Sequence, residues 1–150
     1  MIGKVITGKS FGGCLRYCLE DKKRANDKDK MIMKNRAEVL KYNLCFGNKA
    51  ELIEQFKEVR KLNTKQSKPV MHITLSFAPG ERLSKRQLTE ISNHCAEDLG
   101  FDKNQFIAVE HNDTDHQHFH IVVNRINFDG KTLPDSNSYK KIAAFCRKQN

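Results

Sequence analysis

Two helix starts and the alternating segments behind them constrain this chain most. Asn48 with Glu51, and Ser84 with Gln87, each pair a capping side chain with a partner three residues on, the signature of a capping box. Leu52, Ile53, Phe56 and Val59 follow the first at helical spacing. Leu88, Ile91, Cys95 and Leu99 follow the second, and Gly100 stops that helix. Each predicted helix leads into strand formers. One segment runs from Val70 to Phe77, between Pro69 and Pro79-Gly80, and the other from Phe106 to Glu110. The remaining pattern predicts a first strand around Ile2, Val5 and Ile6, then a helix capped by Ser10 and carrying Leu15, Tyr17 and Leu19. It also predicts a strand-like stretch from Val39 to Phe46, a strand from His118 to Ile126 before an Asp129-Gly130 turn, and a helix from Tyr139 to Lys148.

This order predicts an α+β domain: a central, largely antiparallel sheet with helices packed mainly on one face. A length of 150 residues suits one domain. The last helical pattern runs almost to Asn150, so residues 1–150 are expected to be a single domain truncated from a longer protein. No apolar run approaches the roughly 20 residues that cross a bilayer, and the start lacks a signal-peptide pattern, so a cytoplasmic protein without membrane insertion is expected. Five cysteines, Cys14, Cys18, Cys45, Cys95 and Cys146, are an odd and irregular set. They argue against a disulfide framework and read as small apolar core residues, although Cys14 and Cys18 stand one helical turn apart. The net charge of +9 suits a polyanionic partner. Its densest basic cluster, from Asp21 to Arg24 and on through Lys30, has no apolar period and reads as a solvated loop.

Function is written most clearly between residues 111 and 124. Four of the six histidines, His111, His116, His118 and His120, fall within ten residues. In a strand, His118 and His120 share a face, while Phe119, Ile121 and Val123 take the other. A hairpin returns His111 beside His118 and closes a three-imidazole site. Three neutral ligands with open positions describe a catalytic metal site. Imidazoles suit Zn2+ or Ni2+, and phosphate oxygens in the remaining positions would suit Mg2+ or Mn2+. Asp113, Asp115 and His116 can orient these ligands, and Asn124 shares their strand face. The tyrosines available as nucleophiles are Tyr17, Tyr42 and Tyr139, and the residues alone do not choose among them.

The segment His111-Asn-Asp113-Thr-Asp115-His116-Gln-His118-Phe-His120-Ile-Val-Val-Asn124 resembles the third motif of the relaxases, or mobilisation nucleases. These are a branch of the HUH endonucleases, named for a histidine–hydrophobe–histidine pair that His118-Phe119-His120 matches. Phe11-Gly12-Gly13-Cys14-Leu15-Arg16-Tyr17 resembles the family's tyrosine-bearing segment. His72-Ile-Thr-Leu-Ser76-Phe-Ala-Pro79-Gly80-Glu81 resembles its histidine-hydrophobic-serine strand.

The resemblance implies nicking of one DNA strand at a transfer origin, with Tyr17 attacking the phosphate, staying joined to the 5′ end and leaving a free 3′ hydroxyl. It implies a divalent metal on His111, His118 and His120, chiefly Mg2+ or Mn2+, with Zn2+ or Ni2+ able to occupy the site in vitro. The proton acceptor is left open between His72, Asp113 and Asp115, and Ser76 is a further phosphate contact. The implied partners are single-stranded or hairpin DNA and accessory mobilisation proteins, in the bacterial cytoplasm during conjugative transfer. Competing readings are a nuclease that initiates rolling-circle replication, a non-catalytic DNA-binding module with a structural metal, and a small-molecule metallohydrolase. The last leaves the charge and Tyr17 unused.

Overall fold

The computed structural model describes residues 1–20, 22–23, 32–33, 37–112 and 115–149. Five strands form one antiparallel sheet: β1 (Ile2–Gly8), β4 (Ala37–Asn43), β5 (Val70–Ser76), β6 (Phe106–His111) and β7 (His118–Asn124). Their spatial order is β1-β5-β7-β6-β4, so the histidine-bearing β7 is central. The helices are α1 (Phe11–Leu19), α2 (Lys49–Arg60), α3 (Lys85–Leu99) and α4 (Ser138–Gln149). A separate two-residue ladder pairs β2 (Lys22–Lys23), inside the stretch read as a loop, with β3 (Ile32–Met33), just beyond it. The rest of that basic cluster lies outside the described residues.

Local signals set the helix starts. The Ser10 hydroxyl accepts from the Gly13 amide at 2.9 Å. Both predicted capping boxes form, with Asn48 and Glu51 exchanging bonds, as do Ser84 and Gln87. Gly100 ends α3 in the left-handed region at φ 84°, where a side chain would be strained. Gly3 serves a different purpose: a Cβ there would stand 2.5 Å from Ile142 Cγ1, so its absence lets α4 lie against β1.

Helices cover both faces of the sheet, where the sequence predicted cover mainly on one. Leu88 and Cys95 of α3, with Ile142 and Phe145 of α4, pack against Ile73 and Leu75 of β5 and Phe119, Ile121 and Val123 of β7. On the opposite face, Phe11, Leu15 and Cys18 of α1, with Leu52 and Phe56 of α2, pack against Val70, Ile107, Val109 and Val122. Every residue of β6 is buried. A strand apolar on both faces needs cover on both, and the unbroken run Phe106-Ile107-Ala108-Val109 was the sequence signal for it. The antiparallel α+β class is as expected.

A candidate nuclease centre on the α1 face

Register assembles the histidines. His111 on β6 stands directly opposite His118 on β7, and His120 lies two residues on, on the same face. The ligand nitrogens of His111, His118 and His120 fall within 4.8 Å of one another. The rings of His111 and His120 are 4.1 Å apart between centroids, and His118 stands 5.3 Å from each.

Their hydrogen bonds orient the rings. A carbonyl only accepts, so His111 donates from Nε2 to the Cys18 carbonyl at 2.9 Å, which in the neutral ring makes Nδ1 the basic nitrogen. By the same logic His118 donates from Nδ1 to the His116 carbonyl at 3.3 Å, leaving Nε2 basic. His120 uses Nδ1 toward His72 Nε2 at 2.7 Å and Thr74 Oγ1 at 3.2 Å. Each imidazole thus has one nitrogen oriented by protein, as metal-binding histidines do. This donor set fits a divalent cation.

Tyr17 on α1 borders the groove beside the histidines and is 56% exposed. Its ring centroid lies 6.1 Å from that of His72, 6.2 Å from that of His111 and 5.9 Å from that of His120. Tyr42 instead packs on Phe46 at 4.9 Å, and Tyr139 is exposed on α4. Beside Tyr17 runs a groove of about 570 Å³ along the edge strand β1, lined by Lys4, Thr7, Ser10, Cys14, His72 and Thr74 among others.

The remaining predicted residues separate into near and far. Ser76 stands opposite His118 in the β5–β7 register, beside the triad. Asp115 and His116 are exposed in the turn before β7. Asp113 lies outside the described residues. Asn124 does not join the cluster. Its amide donates to the Phe56 carbonyl at 3.1 Å and Gln105 Oε1 at 3.0 Å, and its carbonyl oxygen accepts from the Ile126 amide. It fastens α2 to the sheet, about 13 Å along β7 from His120 at strand rise.

Two features were missed by sequence reasoning. Buried Gln117 donates to Glu110 Oε2 at 3.0 Å and to the Leu83 carbonyl at 2.9 Å, and so pins the start of β7 to the loop before α3. Nothing in its local sequence marks it. The other feature is the side-chain environment of Cys14. Hydrogen bonding with Cys18, then with His72 and its charge, pulls the Cys14 thiol down to about 5 against the opposing effect of burial. The one-turn spacing of Cys14 and Cys18 was the available signal, but the third partner comes from β5.

An antiparallel sheet presenting three convergent imidazoles on neighbouring strands, with an exposed tyrosine on the first helix, defines a histidine-cluster nuclease architecture. The model of the MobA/VirD2-like relaxase nuclease domain matches residues 17–150, and the chain belongs to this family. A TraI protein of Escherichia coli is 30% identical over 142 residues, covering 93% of this chain and 18% of the relative. The Rlx protein of Staphylococcus aureus is 32% identical over 96 residues, covering 63% of this chain and 29% of the relative. The chain therefore spans less than a third of the length of these relatives. A solved structure from work on vancomycin resistance transfer in Staphylococcus aureus has the same fold, with a TM-score of 0.52 at 12% identity, covering 99% of this chain and 88% of that one.

Among the described residues no helix is long and apolar enough to cross a membrane.

Proposed function

We propose that this domain nicks one strand of DNA at a transfer origin through a covalent bond between Tyr17 and the 5′ phosphate. The observation that carries the reading is the exposed Tyr17 ring held about one ring contact from His72, His111 and His120. His111, His118 and His120 would hold a divalent cation, Mg2+ or Mn2+ with phosphate oxygens completing the shell. Bound there, it supplies a Lewis acid that neutralises charge on the phosphate.

The chain's own groups do the rest. A phenol is a weak nucleophile until its proton is taken. His72, half-buried beside Tyr17, is the favoured acceptor, taking the proton on the Nε2 lone pair that otherwise accepts from His120. The Tyr17 oxygen forms a bond to phosphorus, the bond from phosphorus to the 3′ oxygen breaks, and that oxygen takes a proton from solvent. The phosphotyrosyl ester keeps the strand's bond energy for rejoining. Lys4 and Ser10 line the groove in which single-stranded DNA would lie.

Incubating the protein with single-stranded DNA tiled across the transfer origin of its parent element, with Mn2+, tests the reading. A covalent adduct is expected, mapped by mass spectrometry to Tyr17 on a 5′ phosphate. Tyr17→Phe should lose the adduct while DNA binding persists, and an undiminished adduct in that variant would assign the nucleophile elsewhere. Binding without any cleavage would favour the non-catalytic module instead. His118→Ala and His120→Ala should each weaken Mn2+ binding by roughly tenfold or more, since each removes one of three ligands. Unchanged metal titrations would remove the triad as the metal site.

A further inference from the structure

A second cluster of metal-ligating side chains stands beside the triad and shares none of its residues. The donor atoms of Cys14, Cys18 and His72 all lie within 4.8 Å of one another. Cys18 Sγ is 3.7 Å from His72 Nε2. Around a tetrahedral zinc ion, with Zn–S about 2.3 Å and Zn–N about 2.0 Å, donor atoms sit about 3.5–3.8 Å apart. The Cys18–His72 pair already has that separation, and a rotamer adjustment at half-buried Cys14 would close the third side. The donor chemistry also differs from that of the triad. Two thiols and an imidazole select soft or borderline cations, whereas Mg2+ and Mn2+ prefer oxygen. Neither strand cleavage by a tyrosine nor a three-imidazole centre requires sulfur. Cys95 and Cys146, by contrast, are enclosed in the apolar core.

We propose that Cys14, Cys18 and His72 form a second metal site that binds a thiophilic divalent cation such as Zn2+, with its open position facing the groove. Cys14 and His72 both line that groove, so a cation there has a route from solvent. Thiol protons leave as the metal binds. The site is coupled to the triad through a single nitrogen. His72 Nε2 faces both Cys18 Sγ at 3.7 Å and His120 Nδ1 at 2.7 Å. A cation on the sulfurs takes the lone pair that otherwise accepts from His120, whose Nδ1 keeps Thr74 Oγ1 as a partner. Thiophilic metal and the His72–His120 hydrogen bond therefore exclude each other.

Titration of the reduced protein with Co2+ under saturating Mg2+ tests the site, because only sulfur ligation gives a thiolate-to-cobalt charge-transfer band in the near ultraviolet. The band should appear, persist in His118→Ala, which has lost a triad ligand but no sulfur, and vanish in Cys14→Ser. No band in the unmutated protein, or an undiminished band in Cys14→Ser, would overturn the proposal. A second measurement needs no variant. Stoichiometric Zn2+ should slow alkylation of Cys14 by roughly tenfold or more, since coordinated sulfur is a poorer nucleophile than free thiolate, and chelation should restore the rate. Equal rates with and without Zn2+ would overturn it as well.

Discussion

Cys14 shows how one side chain's chemistry can be set by two neighbours from different elements. Cys18, one turn along α1, and His72, across on β5, together hold its thiol down at about 5 from the ordinary 9.0. Folding therefore favours the thiolate. The stabilisation this brings is fully present above the ordinary thiol range and is lost as pH falls through about 5. In metal-free protein, Cys14 alkylation should rise with a midpoint near 5 and level off by neutral pH. Cys45, pushed up to about 11 chiefly by burial, should stay unreactive there. Rates read residue by residue by mass spectrometry check this, and a Cys14 midpoint near 9 would refute it.

At the scale of elements, the centre depends on how α1, α2 and β7 are held together. Asn124 is wholly buried and satisfies groups on α2, on Gln105 and on the turn after β7. Asn124→Leu would leave the Phe56 carbonyl and Gln105 amide without these bonds in an enclosed space. Each such loss costs about 1–3 kcal/mol, so a total of about 2–6 kcal/mol is expected. Urea unfolding should show a midpoint lowered accordingly. A loss under about 0.5 kcal/mol would mean that the fastening role is wrong. The sequence pattern placed Asn124 on the histidine face, which is where it lies, but a strand face is longer than a site.

The whole molecule carries +9 and places its candidate centre beside a groove on the edge of the sheet. Contact with four or five phosphates of a single strand would give a slope of about −3 in log affinity against log salt. Fluorescence anisotropy with single-stranded DNA across a salt series measures it. A flat response would detach the charge from DNA binding. Placement of helices on both faces matters here too. The helices behind the sheet hold β5 and β7 in register, while α1 brings Tyr17 to the front and leaves the histidine end open.

Features that depend on a few consecutive residues were legible without coordinates. Ser10, Asn48 and Ser84 cap their helices because a side chain reaches an amide three residues away, and His118 and His120 share a face because strand side chains alternate. The resemblance in the histidine motif and the tyrosine segment extended that reach to the family. Tertiary structure decided what depends on strand order and register: that β7 lies between β5 and β6, that His72 touches His120, and that α1 carries two thiols onto the same imidazole. These contacts join residues 48 and 54 positions apart along the chain. Only the pairing of strands and the burial of both sheet faces brings them together, and no local propensity encodes such a meeting.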